Sequence, residues 1–249
     1  MNVDNIKLAS LKKLPNNEIN WDEIEATLRA NPGLEQLHPD LKTSAVLLLM
    51  IPSEGGFEIL ITSRSPKLRH HTGEMSFPGG RIDEHLDRTL LDTALRETKE
   101  EIGIDPENIR ILGKLDDLPT MTGYIIRPFI GVMKDPSQPI IPNPDEVAEV
   151  ITVPYSFFMN REKFDEMALN RKDIHFRVLS FEYIYPQNQK KYFIWGATAH
   201  ILAHFFEKVF QKQLSDPSYK RPTVDRVVQA LRQYRENEQS QEKNDSKKV

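Results

Sequence analysis

Residues 96–101 read Arg-Glu-Thr-Lys-Glu-Glu and place three carboxylates within six positions. On a helix, Glu97, Glu100 and Glu101 are neighbours three and four apart, and each like-charge pair costs about 0.2–0.5 kcal/mol. At 100° per residue Glu97 and Glu101 lie about 40° apart, with Glu100 about 60° beyond Glu97. A plain solvated face would alternate these acids with lysine at i+4. Here they share one flank, and Asp83, Glu84 and Asp87 approach from the preceding segment. Oxygen-rich groups of this kind suit Mg²⁺ or Mn²⁺, and a divalent cation offsets their repulsion.

Other residues could also do chemistry. The segment 64–74, followed by Ser76-Phe-Pro-Gly-Gly80, carries Arg64, Lys67, Arg69, His70 and His71, with Arg81 just beyond. By itself it is either a solvated basic loop or an anion-recognising one. His200 and His204 stand at i, i+4, yet no third ligand or HExxH pattern accompanies them. Phe193 and Trp195 are expected in the core rather than as a stacking platform.

The elements that position these groups follow from periodicity. Leu90, Leu91, Ala94, Leu95, Thr98 and Ile102 form one stripe, so 88–102 reads as an amphipathic helix ended by Gly103. Asn20 caps a helix through about Ala30. Ala45–Ile51 and Phe57–Arg64 flank a Ser-Glu-Gly-Gly turn and read as a hairpin. Strands are expected at 109–115, 123–133, 148–153, 175–184 and 191–195, then helices at 198–211 and 223–235. From Glu236 the chain has no apolar anchor and reads as a disordered tail. Strands on both sides of a helix, then a late helix, imply an α/β (α+β) domain with a mixed sheet sandwiched between helices. The expected division is an N-terminal helical extension (1–34), one catalytic domain (35–215), and a C-terminal helix with tail (216–249).

Composition narrows the function. The 249 residues contain no cysteine, which excludes disulfides, thiolate zinc sites and a cysteine nucleophile. A net charge of −4 without a basic stripe argues against nucleic acid as partner. No apolar run approaches the ~20 residues of a membrane span, and the N-terminus lacks a secretory pattern, so a cytoplasmic protein is expected. Oligomeric state has no signature.

Gly80 followed by Arg96-Glu97-Thr98-Lys99-Glu100-Glu101-Ile102-Gly103-Ile104 resembles the Nudix box of the Nudix hydrolases. Thr98 takes an apolar position of that pattern. Fifteen residues separate Gly80 from Arg96, about two more than the general spacing, and Leu86 stands where the box has its first Glu. Asp87 is the nearest stand-in. The segment 60–80 is similar to the signature that precedes the box in the coenzyme A pyrophosphatase branch. It matches at Thr62, Arg64, Ser65, Arg69, Gly73, Phe77, Pro78, Gly79 and Gly80, with Ile61 in place of Leu. Residues 143–150 and 194–202 also look like this branch.

The resemblance implies a Nudix fold and a pyrophosphohydrolase dependent on Mg²⁺ or Mn²⁺. Its small-molecule substrate would be coenzyme A or a derivative, cleaved to 3′,5′-ADP and 4′-phosphopantetheine. Another nucleoside diphosphate derivative (ADP-ribose, NADH, an oxidised dNTP) is the enzymatic alternative, and a non-catalytic nucleotide sensor is the other. Glu97, Glu100 and Glu101 are then metal ligands and catalytic groups, and Arg96 orients them. Arg64, Arg69, Gly73, Phe77, Gly79 and Gly80 are the implied substrate-binding set. Glu146 or Glu149 would supply the late acidic residue that many Nudix enzymes use, or would solvate a strand end.

Overall fold

Unbroken apolar runs such as 45–51 belong to strands buried on both faces. The computed structural model describes residues 19–67, 73–171 and 174–245. In chain order its elements are α1 (Trp21–Ala30), β1 (Lys42–Ser53), β2 (Gly56–Arg64), β3 (Met75–Ser76), β4 (Gly79–Arg81) and α2 (Leu90–Ile102). There follow β5 (Ile109–Lys114), β6 (Leu118–Pro119), β7 (Tyr124–Met133), β8 (Val147–Pro154), α3 (Tyr155–Phe158) and β9 (Phe164–Arg171). The chain closes with β10 (Ile174–Ile184), β11 (Lys191–Trp195), α4 (Gly196–Phe210) and α5 (Val224–Asp245).

The main sheet runs β3-β2-β1-β7-β5, with β4 on β1, β6 on β7 and β8 on β2. β1 and β7 are parallel while β2, β4 and β8 pair antiparallel, so the sheet is mixed. β9, β10 and β11 form a second, antiparallel sheet. Along β1 the side chains alternate. Ala45, Leu47 and Leu49 pack with Ala94 and Ile102 of α2. Leu48 and Met50 face the opposite layer, with Ile24 and Leu28 of α1 and Leu202, Phe205 and Phe206 of α4. The mixed sheet is therefore sandwiched between helices, as expected.

Local chemistry sets the helix ends. The Glu23 amide donates to Asn20 Oδ1 at 3.2 Å, which starts α1. Thr89 and Asp92 form a capping box, so α2 begins at Leu90 rather than 88. Gly103, at φ 73°, closes it through its amide on the Lys99 carbonyl. Thr98 fits a buried position because its hydroxyl donates to the Ala94 carbonyl at 2.6 Å.

Two expectations are corrected. α5 runs to Asp245, into the segment read as disordered. Val224 and Val228 anchor it against Leu41 and Ile125, and the Glu, Gln, Lys and Arg that follow are good helix formers. A missing apolar anchor removes packing, but it does not stop a helix nucleated upstream. Phe193 and Trp195 are 51% and 41% exposed rather than core. β11 covers the core with one face, and Tyr192 and Ile194 occupy it.

Candidate active site

α2 displays its acids along the edge of the stripe that faces the sheet. Arg96 is the hub. Its Nε and Nη2 donate to the two carboxylate oxygens of Asp87 at 2.9 and 3.0 Å. Nη2 also meets Glu97 Oε1 at 2.9 Å, and Nη1 reaches Glu100 Oε2 at 2.8 Å. Asp87 is buried and further accepts the Thr93 hydroxyl at 2.8 Å and the Asp83 amide at 2.9 Å. The Arg96 guanidinium foremost, against the cost of burial, holds its carboxyl down at about 2.

Glu101 is in the opposite circumstance. It is 6% exposed, and its Oε2 has no hydrogen-bond partner. Burial and the charge of Glu97 push its carboxyl up to about 8, opposed by Arg64 and by the Gly79 amide. Burial also raises Glu97, and its ion pair with Arg96 offsets only part of that. A donorless buried carboxylate oxygen beside a second desolvated carboxylate is an arrangement that a hard divalent cation satisfies. Among the described residues no three carboxylates or imidazoles converge into a ready cage. Mg²⁺ does not need one. It keeps several waters and takes one or two carboxylates together with substrate phosphates. The all-oxygen donor set fits Mg²⁺ or Mn²⁺ on the same ground.

The residues Phe77-Pro-Gly-Gly80 wedge between this flank and β1. A Cβ on Gly80 would stand 2.5 Å from the Glu97 carboxyl carbon, so glycine here lets the carboxylate lie against backbone. Gly79, at φ 153°, is pressed to the Ala45 carbonyl, 2.3 Å from where its Cβ would sit. Phe77 is 3% exposed and its ring packs within the core. Gly73 donates to the Arg64 carbonyl at 3.1 Å.

Of the expected basic set, Arg64 ends β2 with a buried Nε that has no partner, and its charge acts on Glu101. Lys67 pairs with Asp145 at 2.7 Å, and Arg81 lies over the Tyr124 ring. Arg69, His70 and His71 lie outside the described residues.

The two late acids separate. Glu149 is taken by Lys190 Nζ at 2.6 Å and the Tyr192 hydroxyl at 2.9 Å. Glu146 sends its charge to both Glu97 and Glu101. The histidines take structural positions. His200 Nδ1 sits 2.7 Å from the Gly196 carbonyl, and His204 Nε2 lies 3.4 Å from Asp116. Burial lowers both, His204 to about 3.

Residues 41–179, more than half of the chain, match the NUDIX domain. The Nudix hydrolase NudL of Pectobacterium atrosepticum is 34% identical over 175 residues, 70% of this chain and 86% of that protein. NudL of Cronobacter sakazakii is 31% identical over 183 residues, 73% and 90% of the two chains. A MutT/nudix family protein from Enterococcus faecalis, of solved structure, is 18% identical with a TM-score of 0.41, covering 82% and 73%.

Proposed function

We propose, on the premise that this chain belongs to the Nudix hydrolase family, that its substrate is coenzyme A or a derivative of it. Membership makes it a pyrophosphohydrolase; the choice of substrate is the proposal. Cleavage would yield 3′,5′-ADP and 4′-phosphopantetheine, or its acylated form. In this reading residues 35–215 are the catalytic domain, and the protein acts in the cytoplasm on a small molecule.

The observation that carries the substrate reading is Arg64. This arginine belongs to the 60–80 signature, its buried Nε is unpaired, and its charge reaches the catalytic carboxylates. A planar guanidinium is suited to bidentate contact with phosphate. Coenzyme A offers a pyrophosphate and a 3′-phosphate.

Glu97 and Glu101, with Glu100 beside them, would hold Mg²⁺ or Mn²⁺. When bound, such a cation neutralises pyrophosphate charge and lowers the pKa of water. Arg96 fixes one oxygen of Glu97 and restrains Glu100. Asp87 in turn fixes Arg96, so the acidic edge is held before any ligand arrives. One of the three glutamates accepts the proton of the attacking water, and its geometry decides which.

Product analysis tests the reading. With Mg²⁺ or Mn²⁺, 3′,5′-ADP and 4′-phosphopantetheine should accumulate from coenzyme A. Turnover confined to ADP-ribose, NADH or oxidised dNTPs would reassign the substrate. Binding without turnover would favour a sensor.

A further inference from the structure

Two residues are too few to hold a strand by themselves, and β3 (Met75–Ser76) is also the end strand of its sheet. β2 supports it on one side. The Thr62 hydroxyl donates to the Ser76 carbonyl at 3.1 Å, and the Arg64 amide donates to the Glu74 carbonyl at 3.1 Å. An antiparallel ladder turns alternate carbonyls toward its partner. The Met75 carbonyl, between those two, therefore faces away from β2.

α4 meets that carbonyl. Thr198, in the first turn of the helix, donates its hydroxyl to the Met75 carbonyl at 3.0 Å. Thr198 is 8% exposed and Met75 5%, so little water competes for this bond. Without the hydroxyl, a shielded carbonyl loses a hydrogen bond that solvent does not readily replace.

The same edge holds the main chain of Arg64. Besides the amide bond to Glu74, the Arg64 carbonyl accepts the Gly73 amide at 3.1 Å. On its other side β8 shifts register between Ser63 and Arg64, so the regular ladder stops short of the arginine. The catalytic flank is fastened elsewhere. Asp87 and Arg96 hold Glu97 and Glu100. The Leu47 amide holds the Pro78 carbonyl at 2.9 Å, and Gly79 and Gly80 pair with Val46 and Ala45.

Resting on the substrate-binding part of the functional reading, we propose that Thr198 is a positioning residue. It latches β3 to α4, fixes the main chain of Arg64, and so governs substrate affinity rather than the chemical step. A helix of the layer opposite α2 thereby sets a residue of the 60–80 signature.

Steady-state kinetics and amide exchange on the full chain test this latch. Thr198→Val keeps the shape and removes the donor, whereas Thr198→Ser keeps the donor. Thr198→Val should raise KM for coenzyme A about 10-fold and leave kcat within about twofold. Thr198→Ser should restore most of the loss. Exchange of the Arg64 and Gly73 amides should quicken in Thr198→Val, while the amides of α2 keep their protection. Because both act through one residue, Thr198→Val added to Arg64→Ala should raise KM no further than Arg64→Ala alone. Faster exchange with an unchanged KM would overturn the proposal, since that is the mark of packing alone. So would a loss confined to kcat, or losses that multiply in the double variant. Should Thr198→Val not fold, Thr198→Cys supplies a weaker donor and runs the same comparison. A wild type that cleaves another nucleoside diphosphate derivative and not coenzyme A would refute the substrate reading, and the KM comparison on that compound then decides the latch.

Discussion

Two buried groups of charges in this molecule are built to opposite rules. Near β6, Asp117 has a side chain with no exposure, and Arg127 clasps it through Nε and Nη2 at 2.9 and 2.8 Å. The Gln36 amide adds a donor at 2.8 Å, and Glu35 is shared between Arg127 and Lys114 at 3.0 and 2.8 Å. Two acids meet two cations, and the segment before β1 is tied to β5 and β7. On the α2 flank, Arg96 answers Asp87, Glu97 and Glu100, while Glu101 keeps an oxygen that nothing satisfies. Complete pairing marks a group that holds structure. A desolvated carboxylate with an unsatisfied oxygen is a candidate for chemistry.

Asp117→Asn leaves Arg127 with only the exposed Glu35 as counter-charge, and losing one member of a buried pair costs up to about 3–5 kcal/mol. Chemical denaturation should show that loss, with turnover per folded molecule close to wild type. A stability change under about 1 kcal/mol would mean the pairing matters far less than its burial implies.

On the functional side the pattern should reverse. Glu97→Gln and Glu101→Gln are expected to lower kcat by at least ~10²-fold. Glu101→Gln should leave the melting temperature of the metal-free protein unchanged or higher, because glutamine cannot take on the charge that burial and Glu97 disfavour. Near-normal turnover in both folded variants would sink the assignment of the flank.

Arg64 carries a cation whose buried Nε has no hydrogen-bond partner. Removing a charge-assisted contact to phosphate is worth ~1.5–3 kcal/mol, or about 10–150-fold in kcat/KM for Arg64→Ala. Comparing coenzyme A with dephospho-coenzyme A locates the contact. A penalty on coenzyme A alone points to the 3′-phosphate, and a penalty on both points to the pyrophosphate. No penalty on either would leave Arg64 a structural residue. The smallest effect belongs to the end of α5. Truncation after Glu236 should shift the melting temperature by less than about 2 °C, since the anchors Val224 and Val228 remain.

Periodicity and caps made the scaffold legible. Asn20, the 90–102 stripe and Gly103 mark their helices, and the apolar runs mark β1 and β2. Strands as short as β3, β4 and β6 carry too few residues for any period, and they form only because β2, β1 and β7 present edges to them. At the site, the placing of Glu97 and Glu101 along one edge of α2 was readable because helix geometry alone fixes it, whereas Glu100 is held by Arg96. Partners that meet through loops were not. Nothing local told that Asp87 would clasp Arg96, nine residues on, or that Lys190 and Tyr192 would take Glu149. Asp117 and Arg127 belong to no motif, so their pairing had no signal at all.

Glu101 is a buried carboxylate with an unsatisfied oxygen, and we propose a divalent cation as its partner. Its carboxyl is raised from the ordinary range to about 8, so the fold favours its protonated form. The stability this contributes is fully present below the unfolded value near 4.5 and is lost as pH rises through the folded value of about 8. The direct measurement is the melting temperature of wild type and Glu101→Gln between pH 5 and about 8.5, without metal and with saturating Mg²⁺. Metal-free wild type should lose stability relative to Glu101→Gln as pH rises, and Mg²⁺ should restore it most at the alkaline end. Parallel curves for the two proteins, with no response to Mg²⁺ at any pH, would contradict it.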